Sequence, residues 1–116
     1  MTRVIEVKHV EAKAQVRSLI EGLIDRLEDK LQHFRNESIS VHALFEENGS
    51  HTLYRAHVTC HIPGHIVAAH EEGRNPGVSI RKTFAEVERQ LRKHSARLRR
   101  EHLRKRTVRR GAGLGV

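Results

Sequence analysis

Aromatic side chains are almost missing from this chain. Tryptophan is absent, and the 116 residues include only Phe34, Phe45, Phe84 and Tyr54 as rings of that kind. A protein that grips single-stranded nucleic acid mainly by stacking successive bases needs more platforms than that, so this mode is not expected. Cysteine occurs once, at Cys60; no internal disulfide can form, and a reducing cytosol fits. No apolar run approaches the roughly 20 residues that span a bilayer. The opening "MTRVIEVKHVE" places Arg3, Glu6 and Lys8 where a secretory leader would be apolar. The expectation is a cytoplasmic chain without membrane contact, long enough for one small domain.

Acidic charge is also scarce, but only locally. Residues 1–80 hold nine Lys/Arg against eleven Asp/Glu, a net of −2, whereas residues 81–116 hold thirteen against three, a net of +10. In "RKHSARLRREHLRKRTVRR", residues 92–110, ten of nineteen residues are Lys or Arg. Solubility alone gives little reason to segregate charge in this way; the asymmetry points to a polyanionic partner.

Periodicity supplies the scaffold. Val4, Ile5 and Val7 predict a short strand over 3–8. Val16, Leu19, Ile20, Leu23, Ile24, Leu27, Leu31 and Phe34 recur at three- and four-residue spacing, which predicts a helix over 12–34 with one apolar face. Glu21, Asp25, Glu28 and Asp29 fall on its other side. Ile39, Val41, Ala43 and Phe45 alternate with polar residues, as do Tyr54, Ala56, Val58, Cys60 and Ile62. Between these two strands, Asn48-Gly49 is the preferred two-residue hairpin signal. Pro63-Gly64 turns the chain again, into a fourth strand at "HIVAAHEE". After the loop 73–77, Ile80, Phe84, Val87, Leu91 and Leu98 form one stripe of a helix over about 77–103. The fold class is α+β, with order β-α-β-β-β-α and both helices packed on one face of a four-stranded sheet. Residues 1–106 form the domain and 107–116 a flexible basic, Gly-rich tail.

The second helix carries the chemistry. At 100° per residue, Lys82, Arg89, Lys93 and Arg100 fall within about 40° of each other, nearly opposite the core stripe. Arg92 and Arg99 flank them on one side and Arg97 on the other. The resulting ridge is roughly 27 Å long at 1.5 Å per residue and can meet several phosphates at once. A solvated face would mix both signs. A membrane-surface helix would expose large apolar residues beside its cations, but this stripe is expected to be committed to the sheet. Sequence-specific DNA reading favours amides and Arg aimed at bases, and this face offers charge with little amide chemistry. Backbone and shape recognition of structured RNA fits best.

The element order, "EGLIDRLEDKLQHF" (21–34) and above all "ERQLRKHSARLRR" (88–100) resemble the ribosome hibernation promoting factor / ribosome-associated inhibitor A family, over roughly residues 3–103. The resemblance implies a stress-response protein that binds small-subunit ribosomal RNA in the channel used by mRNA and tRNA and blocks initiation. It implies RNA contacts from Lys82, Arg89, Lys93, Arg97 and Arg100, with Arg26 on the first helix. Family members often open the second helix with an acidic residue followed by Met-Tyr or similar, where this chain has Asn75-Pro76-Gly77, so the aromatic contact is lost. Long members add a domain that pairs ribosomes, which this chain is expected to lack. Off the ribosome it is expected to be a monomer. The alternative is a double-stranded-RNA-binding type of module acting away from the ribosome, although that type begins with a helix.

An enzyme is not expected, nor a cofactor, a metal or a small-molecule substrate. Among ten histidines, His57 and His61 share a strand face, with His42 and His65 candidates to lie nearby; three imidazoles could hold zinc, but no HExxH or His-Cys spacing supports it. Glu71 and Glu72 are adjacent in a strand and face opposite ways. Cys60 sits in the apolar alternation and reads as a small core residue. The "GAGLG" at 111–115 follows no strand and cradles no phosphate.

Overall fold

The computed structural model describes residues 1–8, 13–48 and 53–114, with side chains as far as Glu101 and at Leu103. The elements are β1 (Thr2–Lys8), α1 (Lys13–Lys30), a 3-10 turn (Asn36–Ser38), β2 (Ser40–Glu47), β3 (Tyr54–Ile62), β4 (His65–Gly73) and α2 (Pro76–Leu114). This is the expected α+β order. The sheet runs β1-β2-β3-β4. β1 lies parallel to β2, which is why α1 must cross between them; β2, β3 and β4 form an antiparallel meander.

Period two sorts the strands. Val41, Ala43, Phe45, Ala56, Val58, Cys60, Ile62, Val67 and Ala69 are buried against the helices, as is Ile39 just before β2. Val16, Ile20, Ile24 and Leu27 come down from α1, Leu31 from the turn that follows it, and Ile80, Phe84, Val87 and Leu91 from α2. Each fully buried Ile, Leu or Phe contributes about 1.5–3 kcal/mol relative to exposure. Burial pushes the Cys60 thiol up to about 11, so it stays protonated and acts as core filling.

Three local expectations need correction. The α1 helix stops at Lys30, and Leu31 and Phe34 continue the apolar stripe from turns closed by Leu31 N–H to Glu28 O and Phe34 N–H to Leu31 O, 3.0 Å each. The hairpin between β2 and β3 is not a two-residue turn. Glu47 pairs with Tyr54, and Asn48 closes the longer loop by donating its N–H to Leu53 O (3.0 Å) while its side chain accepts from Leu53 N–H (3.3 Å). Gly49 itself lies outside the described residues. The third concerns α2, which passes the expected end near 103 and reaches Leu114; Arg, Leu and Lys are good helix formers and no proline interrupts them. The proposed tail thus begins inside this helix, and Gly115 and Val116 lie outside the described residues. Past Ser95 the helix is exposed on every side, so Leu98, expected in the core, is 44% exposed. Its last 23 residues add roughly 35 Å of length, and the molecule is elongated, 71 × 25 × 17 Å.

The other turns follow their chemistry. Gly64 adopts φ 76° after Pro63, the pattern of a type II turn. Asn75 caps α2, accepting from Val78 N–H at 3.0 Å, and Pro76 takes the first helical position, where no N–H is needed. Ser79 donates to Asn75 O and Thr83 to Ser79 O, at 2.9 and 2.8 Å, so these buried hydroxyls are satisfied.

Candidate nucleic-acid interface

Charge pairing divides the helical layer into two flanks. On the β1 side, α1 presents Glu21, Asp25 and Glu28. Arg3 rises from β1 between the last two, 2.7 Å from Asp25 and 2.5 Å from Glu28. Burial works against the Arg3 charge, but hydrogen bonds to both carboxylates outweigh it and hold the proton more tightly than usual. Arg17 reaches Glu21 at 3.5 Å and the Ile5 carbonyl at 3.3 Å. Glu21, Asp25 and Glu28 are therefore turned towards the sheet edge, not towards α2.

On the α2 side, Lys30 meets Glu88 at 2.7 Å. Arg26 precedes Lys30 by one helical turn on the same flank and is exposed. On α2, Lys82, Arg89, Arg92, Lys93, Arg97, Arg99 and Arg100 are all exposed. Of these and Arg26, only Arg89 has an ion-pair partner among the described residues: Glu86 accepts from its Nε and Nη2 at 2.8 and 2.6 Å. Hydrogen bonds from Arg89 and Gln90 pull the Glu86 carboxyl down to about 2. The ridge was expected to lack compensating acid, and Glu86 corrects that for one cation; the i,i+3 spacing that announces such pairs is visible in the sequence.

The candidate cations also split in space. Lys82, Arg89, Lys93, Arg97 and Arg100 occupy the outer ridge. Arg92 and Arg99 instead line a cleft of about 420 Å³ between α2 and the end of α1, with Leu27, Lys30, Leu31, His33, Glu88, Leu91, Ser95 and Ala96. Nothing in the sequence announced this cleft, because its walls come from segments 58 residues apart, as Lys30 and Glu88 are.

The histidines do not gather as a site. His57 and His70 are cross-strand partners on the open sheet face, ring centroids 6.3 Å apart, and His42 lies 3.3 Å from Glu6. His65 departs from this set: its ring stacks on His94 of α2 at 4.0 Å and 2°. Loss of solvent, with the neighbouring His65 and Arg97, pushes His94 below its ordinary value. Arg55 bridges Glu46 and Glu72 across the same open face, at 3.5 and 2.9 Å. Among the described residues no three His, Cys, Asp or Glu side chains are grouped to hold a metal ion. No described helix is long and apolar enough to cross a membrane. At the far edge of the sheet, Gln90 of α2 donates its amide N–H to the Ala68 carbonyl of β4, 3.0 Å away.

Solved structures share this architecture. A ribosomal subunit interface protein from Coxiella burnetii is 19% identical with a TM-score of 0.65, covering 83% of this chain and 99% of its own. The N-terminal domain of Thermus thermophilus Protein Y is 18% identical with a TM-score of 0.64, covering 81% of this chain and 99% of its own. At these identities the likeness shows the fold. No curated protein matches the sequence. The family model described as Sigma 54 modulation protein / S30EA ribosomal protein matches residues 4–99. A chain with this strand order, these two helices and a match over most of its length belongs to that Sigma 54 modulation / S30EA ribosomal protein family.

Proposed function

We propose that this protein is a ribosome-associated hibernation factor that inhibits translation by lying against small-subunit ribosomal RNA in the mRNA-tRNA channel. The observation that carries the reading is the outer ridge of α2: Lys82, Lys93, Arg97 and Arg100 are exposed and without an ion pair among the described residues, on a chain of the S30EA family. Cations that the fold leaves unpaired gain most from phosphate, because binding releases the counterions condensed on the nucleic acid. A rigid helix fixes the spacing of their backbone before binding, so the cost of ordering falls on the side chains alone. The protein needs no cofactor for this and acts by occupancy: while it sits in the channel, mRNA and tRNA do not enter. Arg26, Arg92 and Arg99 extend the positive band towards α1.

The test is sucrose-gradient fractionation of stationary-phase cells in low salt. The protein should migrate with small subunits or whole ribosomes. If about six phosphates are engaged, raising salt from about 50 to 200 mM should weaken binding by about three orders of magnitude. Absence from ribosomal fractions at low salt would remove the proposal. Equal affinity for an unrelated RNA duplex would favour a general double-stranded-RNA module.

A further inference from the structure

The cleft between α1 and α2 differs from the ridge in kind. Its interior is apolar, formed by Leu27, Leu31, Leu91 and Ala96, and its volume of about 420 Å³ falls in the range of about 300–1,000 Å³ typical of small-ligand sites. Two features give it polarity. Lys30 is already taken by Glu88 at 2.7 Å, which leaves Arg92 and Arg99 as its unpaired cations among the described residues. These two lie seven residues apart, two turns along one wall. The other feature is Glu88 itself. Its side chain is only 17% exposed, Lys30 engages Oε2, and Oε1 has no hydrogen bond among the described residues. The His33 ring, held against Phe34 with centroids 4.1 Å apart, adds a flat unsaturated surface.

An occupant must therefore be flat and apolar in body, anionic at one end, and able to donate an N–H inward. We infer that the cleft is a nucleotide subsite: an unpaired RNA base enters between the two helices, and its phosphate is held by Arg92 and Arg99. Glu88 Oε1 accepts an N–H from the base, supplied by the exocyclic amine of adenine, cytosine or guanine or by N3–H of uracil. An acyl chain with a carboxylate would suit the walls and the cations but offers Glu88 no donor. This inference rests on the RNA-binding reading above and adds to it a point of contact with a base, where the ridge meets only phosphates.

The test is a backbone-amide NMR titration of the full chain with AMP, CMP, UMP, inorganic phosphate and decanoate, run beside gradient co-sedimentation. AMP, CMP and UMP should shift Leu31, Leu91 and Ala96 and bind about tenfold more tightly than inorganic phosphate. Ala96→Trp, which fills the cleft and removes no cation, should abolish these shifts and weaken ribosome association severalfold, with the circular dichroism spectrum unchanged. Equal binding of phosphate and AMP, shifts confined to the Lys93–Arg100 ridge, or displacement of AMP by decanoate at equal concentration would each overturn the subsite. A silent titration with co-sedimentation intact would sink the subsite and leave the proposed function standing. Loss of wild-type co-sedimentation would sink the function itself.

Discussion

The two flanks of the helical layer hold similar residues and treat them in opposite ways. Beside β1, Arg3 and Arg17 are consumed by Asp25, Glu28 and Glu21. Along α2, seven candidate cations are exposed and one of them, Arg89, is paired among the described residues. Part of the difference is composition, since α1 holds four acids against four cations and α2 holds three against thirteen. The rest is angle: Glu21, Asp25 and Glu28 of α1 face the sheet edge, and Lys30, facing α2, meets an acid of α2 instead. Charges on the first flank hold the fold together, whereas those on the second are left over from folding and available to a partner.

Reversing charge on the free flank should have the largest effect. Lys93→Glu with Arg97→Glu should weaken ribosome association by on the order of 100-fold and lower the slope of log affinity against log salt by about two units. The thermal unfolding midpoint should stay where it is, because both side chains lie off the core. Unchanged association would mean that the leftover charge serves no ribosomal contact. On the consumed flank the readouts exchange places. Arg3→Ala leaves Asp25 and Glu28 uncompensated and should destabilise the fold by about 1 kcal/mol, a modest figure because the pair is partly solvated. Denaturant unfolding reads this, and ribosome binding should be unaffected.

A smaller effect tests the one exception on the free flank. Glu86→Gln releases Arg89 and removes an anion from the ridge, so association should tighten a few-fold; weaker association would show that Glu86 positions Arg89 instead of blocking it. The smallest expected effect is a null. The Glu86 carboxyl is held near 2 in the folded chain, against 4.5 ordinarily. A depressed carboxylate contributes its stabilisation above its unfolded value and loses it as pH falls through the folded one. Between pH 5 and 8 the pair therefore stays formed, and wild type and Glu86→Gln should give parallel binding profiles. Profiles that diverge within that window would show Glu86 titrating where it should not.

Element order was legible because both periods, two and three-to-four, are written plainly in Ile39–Phe45 and Val16–Leu31. So was the ridge, since one helix alone sets the angles between Lys82 and Arg100. What the sequence hid was relational. Leu98 obeys the stripe but falls beyond the last strand, and only the length of the sheet determines that. Asn48-Gly49 resembles a tight hairpin, yet the register fixed by Glu47 and Tyr54 demands a longer loop. Arg92 and Arg99 looked like shoulders of the ridge until α1 was seen to end opposite them. The Lys30–Glu88 pair and the His65–His94 stack join distant segments, and no local spacing foretells either.

The Gln90 amide on the Ala68 carbonyl has a consequence for a protein that would crowd together wherever it accumulates. β4 is an edge strand, and an open edge invites a strand from a neighbouring molecule to extend the sheet. Here one outward acceptor is already occupied by the protein's own helix. A would-be polymerising neighbour must first displace that amide, so growth of one sheet into the next begins at a disadvantage.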